Sequence, residues 1–453
     1  MRTPQREIPA VHRFTSDPRI AAYDVLLGRE RVRACVHKVL DAARTAAVAG
    51  EAFAGYDNLR DQVVVELVQA QACGLIRLLN GTGVLLHTNF GRAPLAAAAL
   101  AAAAELGQGY SNLEYDLTAG ERGSRYERVD DQLRQLTGAE QTLVVNNCAA
   151  AIMLVLDTFA HEREVVVSRG ELIEIGGGFR LPDVLRKSGA RLVEVGTTNK
   201  TYPSDYRAAV TPHTAMFLRT HPSNFRISGF TAEVGSRELA ALARQAGVIS
   251  VEDLGSGALV DLAPFGLPHE PTVADEVAAG LDLVAFSGDK LLAGPQCGII
   301  AGRSDLVTAL KRNPLLRALR VDKLTLAALG ATLGLYLQPD RLRDIPLYAM
   351  LYASPDALRA RARALCDRLS SPSLRVCETQ SATGGGTLPL TRIPSAGIAI
   401  DVDGTPALQV AQRLREQRPP LVGRIEDRAL IIDLRSIAPE EDPLVLHALS
   451  CIS

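Results

Sequence analysis

The alternation of apolar and polar positions divides the chain into three stretches. Between Thr142 and Ala301, seven short apolar runs alternate with segments of helical length. They are Thr142–Val145, Glu164–Ser168, Arg191–Val195, Ala215–Thr220, Val248–Glu252, Asp282–Ser287 and Cys297–Ala301. Runs this short, β-rich and bounded by small polar or turn residues predict buried strands. Repeated strand–helix units imply a mostly parallel sheet with helices on both faces. Residues 1–70 lack this alternation. There Val32, Val36, Val39 and Leu40 recur at helical spacing between Arg29 and Leu40, with basic residues on the other face, which predicts a small helical domain. From about Gly330 the pattern turns helical and then mixed. Gly397–Ile400 and Ala429–Asp433 predict strands of a small α/β domain, with Thr383–Thr387 as a flexible loop inside it. The expected organisation is a helical domain over 1–70, a large α/β domain over 71–330 and a small α/β domain over 331–453.

Composition narrows the class. The chain of 453 residues is 47% hydrophobic and 22% charged, in the range of an ordinary globular protein. Its net charge of −2 excludes a global field for nucleic acid, so any such contact needs a local patch. Up to Arg44 there are nine basic side chains (Arg2, Arg6, Arg13, Arg19, Arg29, Arg31, Arg33, Lys38, Arg44) against five acidic (Glu7, Asp17, Asp24, Glu30, Asp41), a mild excess. The seven cysteines are scattered and form no C-x-x-C pair. This argues against a disulfide framework or a zinc site, and a reducing cytoplasm is the expected location. No apolar run reaches membrane-spanning length, and the N-terminus lacks the apolar core of a signal peptide.

The chemistry gathers at strand ends. The run Asp282–Ser287 ends in Gly288-Asp289-Lys290, and Gly294-Pro295 then breaks the chain. A lysine delivered by a buried strand is rarely idle, and in a desolvated site its amine becomes a nucleophile able to form a Schiff base. The preceding run ends in Glu252-Asp253-Leu254-Gly255-Ser256-Gly257. This aspartate-then-lysine layout resembles that of pyridoxal-phosphate enzymes of the aspartate-aminotransferase fold. There the lysine holds the cofactor and the carboxylate keeps the ring nitrogen protonated. Asn147-Cys148-Ala149 opens a helix directly after a strand, where free N–H groups and small residues suit a phosphate. In parallel sheets ligands sit at the carboxyl ends of strands, so Asn147, Asp253 and Lys290 can share one site. His221 also leaves a strand, where it either stacks on a ring or caps the turn. Thr197 and Thr198 beside Gly196 suit either an oxyanion or a polar turn. Arg317 and Arg320 are expected on nearby faces of one helical turn. The loop Gly120–Arg125 carries two arginines whose planar forks suit phosphate or carboxylate, or simply face solvent.

Together, Asn80-Gly81-Thr82-Gly83, His87-Thr88-Asn89, Gly91-Arg92, Pro94-Leu95, Gly120–Arg125, Gly196-Thr197-Thr198-Asn199, His221–Phe225, Glu252–Gly257 and Ser287–Lys290 resemble the bacterial selenocysteine synthases, the L-seryl-tRNA(Sec) selenium transferases. The likeness covers nearly the whole chain. It implies the pyridoxal-phosphate transferase fold type I, with Lys290 holding the cofactor and Asp253, Asn147, Cys148, Ala149, His221 and Ser287 around it. It implies conversion of L-seryl-tRNA(Sec) to L-selenocysteinyl-tRNA(Sec) through an aminoacrylyl intermediate, with selenophosphate as selenium donor. Arg92, Thr197, Thr198, Arg317 and Arg320 would bind that anionic donor, and Asp289 and Asp205 would handle or position protons. The resemblance further implies tRNA binding by residues 1–70 and a homo-oligomer built from dimers, in the family a large ring. Two other readings share the sequence features. One is a paralogous pyridoxal-phosphate lyase acting on a small amino acid or amino sugar. The other is a non-catalytic RNA-binding protein on an old enzyme scaffold, against which intact Asp253 and Lys290 argue.

Overall fold

The computed structural model describes residues 8–50, 55–71, 75–176, 178–450 and 452. Arg2, Arg6, Glu7, Cys73 and Cys451 lie outside the described residues. At the N-terminal end, three short helices precede Arg29–Val48 and Tyr56–Gln71. Phe14, Ile20, Val32, Val36, Leu40, Leu59, Val63 and Leu67 interlock between them as a separate hydrophobic cluster. The apolar spacing of the Arg29 helix explains this: Val32, Val36, Val39 and Leu40 are buried, while Arg31, Arg33 and Lys38 face out.

The central sheet has seven strands. Their spatial order is Gln141–Val145, Gly298–Gly302, Leu283–Ser287, Ile249–Gly255, Thr214–Thr220, Glu164–Ser168 and Arg191–Val195. All seven expected runs are strands; six match to within a residue at each end, and Val248–Glu252 appears as Ile249–Gly255, three residues longer at its end. Gly298–Gly302 runs antiparallel to both of its neighbours, and the other pairings are parallel. A parallel partner needs a crossover of about a dozen residues or more, usually a helix. The Gly288–Cys297 connection is a tight turn, closed by Gly294 N–H donating to Gly288 O at 2.8 Å, and it forces reversal. Parallel direction puts the carboxyl ends of the Val145, Thr220, Gly255 and Ser287 strands on one edge of the sheet.

A second, five-stranded sheet lies in the C-terminal part, in the order Leu79–Gly81, Leu421–Glu426, Ala429–Asp433, Ile393–Ile400 and Leu374–Ser381. Leu79–Gly81, inside the range expected for the large domain, pairs in parallel with Leu421–Gly423 instead. Leu79 belongs to the hydrophobic cluster of that second sheet with Ile398, Ile432 and Leu449. Conversely Ile345, Leu347, Tyr348 and Leu351 pack into the core of the large sheet.

Candidate active site

Lys290 is delivered by a strand that is buried along its whole length. The turn that carries it is held from several sides. Gly288 N–H donates to Cys297 O at 2.9 Å, and Ala293 N–H donates to Lys290 O at 2.9 Å. Two buried tyrosines grip the next residues: Tyr336 Oη donates to Leu292 O at 2.8 Å and Tyr348 Oη to Leu291 O at 3.1 Å. Leu291 N–H donates to Ser256 O at 3.0 Å, which ties this turn to the one after Asp253.

The Asp253 strand breaks register with its Leu283–Ser287 neighbour between Asp253 and Gly255, where Gly255 takes φ +66°. A Cβ on Gly255 would stand 3.7 Å from both Asp253 Oδ1 and Lys290 Nζ. The missing side chain therefore leaves open the space that carboxylate and amine share. Cys148 Sγ lies 3.5 Å from Asp253 Oδ1. Burial pushes the Asp253 carboxyl up, against the opposing pull of Lys290, the Cys148 hydrogen bond and His221. Burial, reinforced by Asp253, pushes the Cys148 thiol well up, which makes it a packing group rather than a thiolate.

These residues line one cavity of about 250 Å³. Its walls include Arg92, Asn147, Cys148, Ala149, Thr220, His221, Ser223, Asp253, Gly255, Ser287, Asp289, Lys290 and Gln296. Asn147 caps the helix Cys148–Phe159 by accepting from Ala150 N–H at 2.8 Å. The first-turn N–H groups of Cys148 and Ala149 have no intrahelical partner. The residues fit pyridoxal phosphate: a helix start with the Ser287 hydroxyl for the phosphate, a primary amine for the aldehyde, and a buried carboxylate that a ring cation would satisfy.

Arg92 and Asp289 are partners. Arg92 Nη1 donates to both carboxylate oxygens, at 2.7 and 2.8 Å, from a loop in which Arg92 itself takes φ +64°. His221 Nε2 stands 3.2 Å from Glu270 Oε1, and its ring is a wall shared with a second cavity of about 490 Å³. That second cavity, not the first, holds Thr197 and Thr198. The Thr197 amide and hydroxyl both bond Lys200 O, as in a polar turn. Arg219 sits at its floor, buried between Glu252, 2.7 Å away, and Glu171.

Other expected site residues lie elsewhere. Asp205 lines neither cavity; its carboxylate accepts from Tyr202 N–H at 2.8 Å and caps the helix Pro203–Ala208. Arg317 and Arg320 also line neither. They do not share a helical turn, because the helix ends at Leu319 and Arg320 is extended, bridged to Val145. Arg320 Nη1 lies 3.6 Å from Glu114. Arg125 also pairs with Glu114 and donates to Val321 O at 2.7 Å, so its fork is occupied. One contributor escaped the sequence reading. A Cβ on Gly386, at φ +74° in the Thr383–Thr387 loop of the C-terminal part, would stand 3.9 Å from Lys290 Nζ. Its only signal was a run of three glycines.

Comparison with known proteins agrees with this geometry. The SelA family model, described as L-seryl-tRNA selenium transferase, matches residues 78–438. The L-seryl-tRNA(Sec) selenium transferase of Geobacter sulfurreducens is 47% identical over 453 aligned residues, covering 98% of this chain and 98% of that protein. The protein of the same name from Moorella thermoacetica is 47% identical, covering 98% of this chain and 96% of the relative. Among solved structures, a D-glucosaminate-6-phosphate ammonia-lyase superposes with a TM-score of 0.61 at 20% identity, over 84% of this chain and 97% of that one. The fold is pyridoxal-phosphate fold type I, as the sequence led us to expect. No helix among the described residues is long and apolar enough to cross a membrane. The chain belongs to the L-seryl-tRNA selenium transferase family.

Proposed function

We infer that this chain converts L-seryl-tRNA(Sec) to L-selenocysteinyl-tRNA(Sec), with pyridoxal 5′-phosphate as cofactor and selenophosphate as selenium donor. The observation that carries the reading is the shared cavity of Lys290, Asp253 and the Cys148 helix start, in a chain of this family. A lyase for a small amino acid or amino sugar is not favoured, because the amino-sugar enzyme is similar in fold alone.

When bound, the cofactor would supply an electron sink for the charge that develops at the seryl α-carbon as its proton is removed, before the β-hydroxyl leaves. The chain's own residues do the rest. Lys290 Nζ holds the cofactor and, once released, takes the α-proton and returns a proton to the departing oxygen. Asp253 holds its charge against the ring nitrogen. The N–H groups of Cys148 and Ala149, with the Ser287 hydroxyl, hold the phosphate, and His221 forms the wall beside the ring. Arg92, fixed by Asp289, offers its remaining N–H groups to the anionic selenium donor.

We further assign residues 1–70 to tRNA, 71–330 to cofactor binding and 331–453 to a smaller domain that lends the Gly386 loop to the site, except that Leu79–Gly81 goes with the smaller domain and residues 345–351 with the larger. The outward Arg31 and Arg33 suit a phosphate path, while Lys38 beside them is paired with Glu66 at 2.6 Å. Deleting 1–70 should leave cofactor uptake intact and abolish a salt-sensitive binding of seryl-tRNA(Sec), measured by filter binding. A homo-oligomer built from dimers is supported by Tyr110 and Leu117, apolar side chains left exposed on one loop region of the single chain. It would also explain why Arg317 and Arg320 miss their own chain's cavity. We place the protein in the cytoplasm.

The direct test mixes purified protein with pyridoxal phosphate, seryl-tRNA(Sec) and selenophosphate. Selenocysteine recovered from the tRNA by mild hydrolysis is the expected result. Pyruvate from free serine, with nothing transferred to tRNA, would overturn the reading.

A further inference from the structure

The lysine cavity contains two hydroxyls that no protein group uses. Thr220 Oγ1 is buried, with the residue 1% exposed, and has no hydrogen-bond partner among the described residues. Ser223 is 4% exposed, and its hydroxyl makes no hydrogen bond among the described residues. Both line the cavity of Lys290 and Asp253. A Cβ on either Gly255 or Gly386 would fall 3.9 Å from Ser223 Oγ and within 3.9 Å of Lys290 Nζ, so hydroxyl and amine open on the same space. A buried hydroxyl left unsatisfied is costly, because it has given up its water without gaining a partner. Two on one wall of a cavity mark where a ligand presents a polar edge.

The sheet order identifies that edge. The Cys148 helix start follows Gln141–Val145; Lys290 follows Leu283–Ser287; Asp253 lies on the next strand, and Thr220 ends the one after it. Thr220 is in parallel register with Asp253, so both side chains emerge on the same face. On the cofactor ring, the carbon bearing the aldehyde lies between the phosphate arm and the 3-hydroxyl, and the nitrogen lies opposite. With the phosphate at Cys148, the nitrogen at Asp253 and the aldehyde carbon at Lys290, the 3-oxygen is left on the side of the Thr214–Thr220 strand.

We propose that the Thr220 and Ser223 hydroxyls donate to the 3-oxygen of pyridoxal phosphate and thereby set the proton affinity of the link between Lys290 and the cofactor. This rests on the cofactor assignment made above. A donor stabilises the anionic oxygen, and that anion is least compensated when the linked nitrogen has lost its proton. The two hydroxyls therefore favour the deprotonated link, and removing them raises the pH at which the link loses its proton. Asp253, His221, Cys148 and the Arg92–Asp289 pair face the same cavity, while Glu171 accepts from the Thr220 amide at 3.2 Å. None of these groups is altered by the substitutions below.

The test uses loaded full-length protein and the variants Ser223→Ala, Thr220→Val, their combination, and Ser223→Thr. Titrating the cofactor absorbance band should show the midpoint rising by roughly one pH unit in each single variant, the scale of one charge-assisted hydrogen bond. The double variant should shift further, and its cofactor dissociation constant by equilibrium dialysis should rise roughly tenfold or more. Ser223→Thr should restore the wild-type midpoint. If Thr220→Val fails to fold, Ser223→Ala alone decides. An unchanged midpoint and cofactor affinity, with a raised KM for seryl-tRNA(Sec), would assign the hydroxyls to the substrate and overturn the proposal. Wild-type protein that takes up no pyridoxal phosphate would instead sink the functional reading beneath it.

Discussion

The cavity around Lys290 and the cavity beside it are assembled differently. The first draws Cys148, Thr220, Asp253, Ser287 and Lys290 from the carboxyl ends of strands in one sheet, or within three residues of them. Hydrogen bonding fixes the spacing of those ends, so the residues converge inside a single chain. The second shares that sheet only in part: Ser168, Arg219, Thr197 and Thr198 lie on or just past its strands, while Arg226, Ile227, His269 and Leu388 come from loops further out. The arginines expected to complete an anion site are divided: Arg92 stands in the first cavity, while Arg317 and Arg320 stand in neither. A sheet brings chemical groups together by itself, whereas loops need something further to gather them, and a second copy of the chain is the candidate.

The largest expected effect tests the convergent side. Lys290→Ala should abolish both turnover and the borohydride fixation of cofactor to the Lys290 peptide. The fold should survive, because the side chain only caps a strand end; fixation at Lys200 or Lys311 would show that the cavity has been misread. Next, Asp253→Ala should slow exchange of the seryl α-proton by roughly 10²–10³-fold, the usual cost of one preorganised electrostatic partner. Near-normal exchange, followed by deuterium uptake, would mean the carboxylate is only a packing group. The scattered side can be tested by mixing. If Arg320 serves a neighbour's site, equal amounts of inactive Lys290→Ala and Arg320→Ala chains, reassociated, should recover about a quarter of wild-type turnover from statistical pairing in dimers. No recovery would leave the arginine working within its own chain or not at all.

The smallest effect lies under the second cavity. Burial pushes the Glu171 carboxyl up from 4.5 to about 8, with Arg219 only partly opposing it. Between those values the folded chain binds more protons than the unfolded one. The stability from this group is therefore complete below about 4.5 and is lost as pH rises through about 8. Glu171→Gln should flatten that slope in denaturant titrations across this range, and an unchanged slope would place the dependence on another group.

Much of the convergent side was legible in the sequence because strands buried on both faces write themselves as short apolar runs, and their ends are marked by glycine turns. Asp253 and Lys290 stood out for that reason. Thr197 and Thr198 are also close in sequence, yet nothing local says which cavity a loop will face. Asp205 carried an acidic signal that helix capping accounts for in the single chain. Arg320 was expected on a helix, but backbone bridging to Val145 takes it out of helical geometry. The tyrosines that hold Leu291 and Leu292 come from helices beyond the large sheet, and their hydroxyls leave no periodic trace. Gly386 is the same case, a loop whose neighbour Lys290 is set by packing alone.

The pairing of Leu79–Gly81 with Leu421–Gly423 has a consequence for synthesis on the ribosome. The strand is made several hundred residues before its parallel partner. Until then its polar backbone edge is unsatisfied and open to other chains. Such long-range pairing is slow to form. The chain is thus exposed to misassembly while the intervening residues are made, and a ribosome that stalls before Leu421 would release a fragment with that edge uncovered. Pulse-labelled fragments ending before and after Glu426 should differ sharply in solubility.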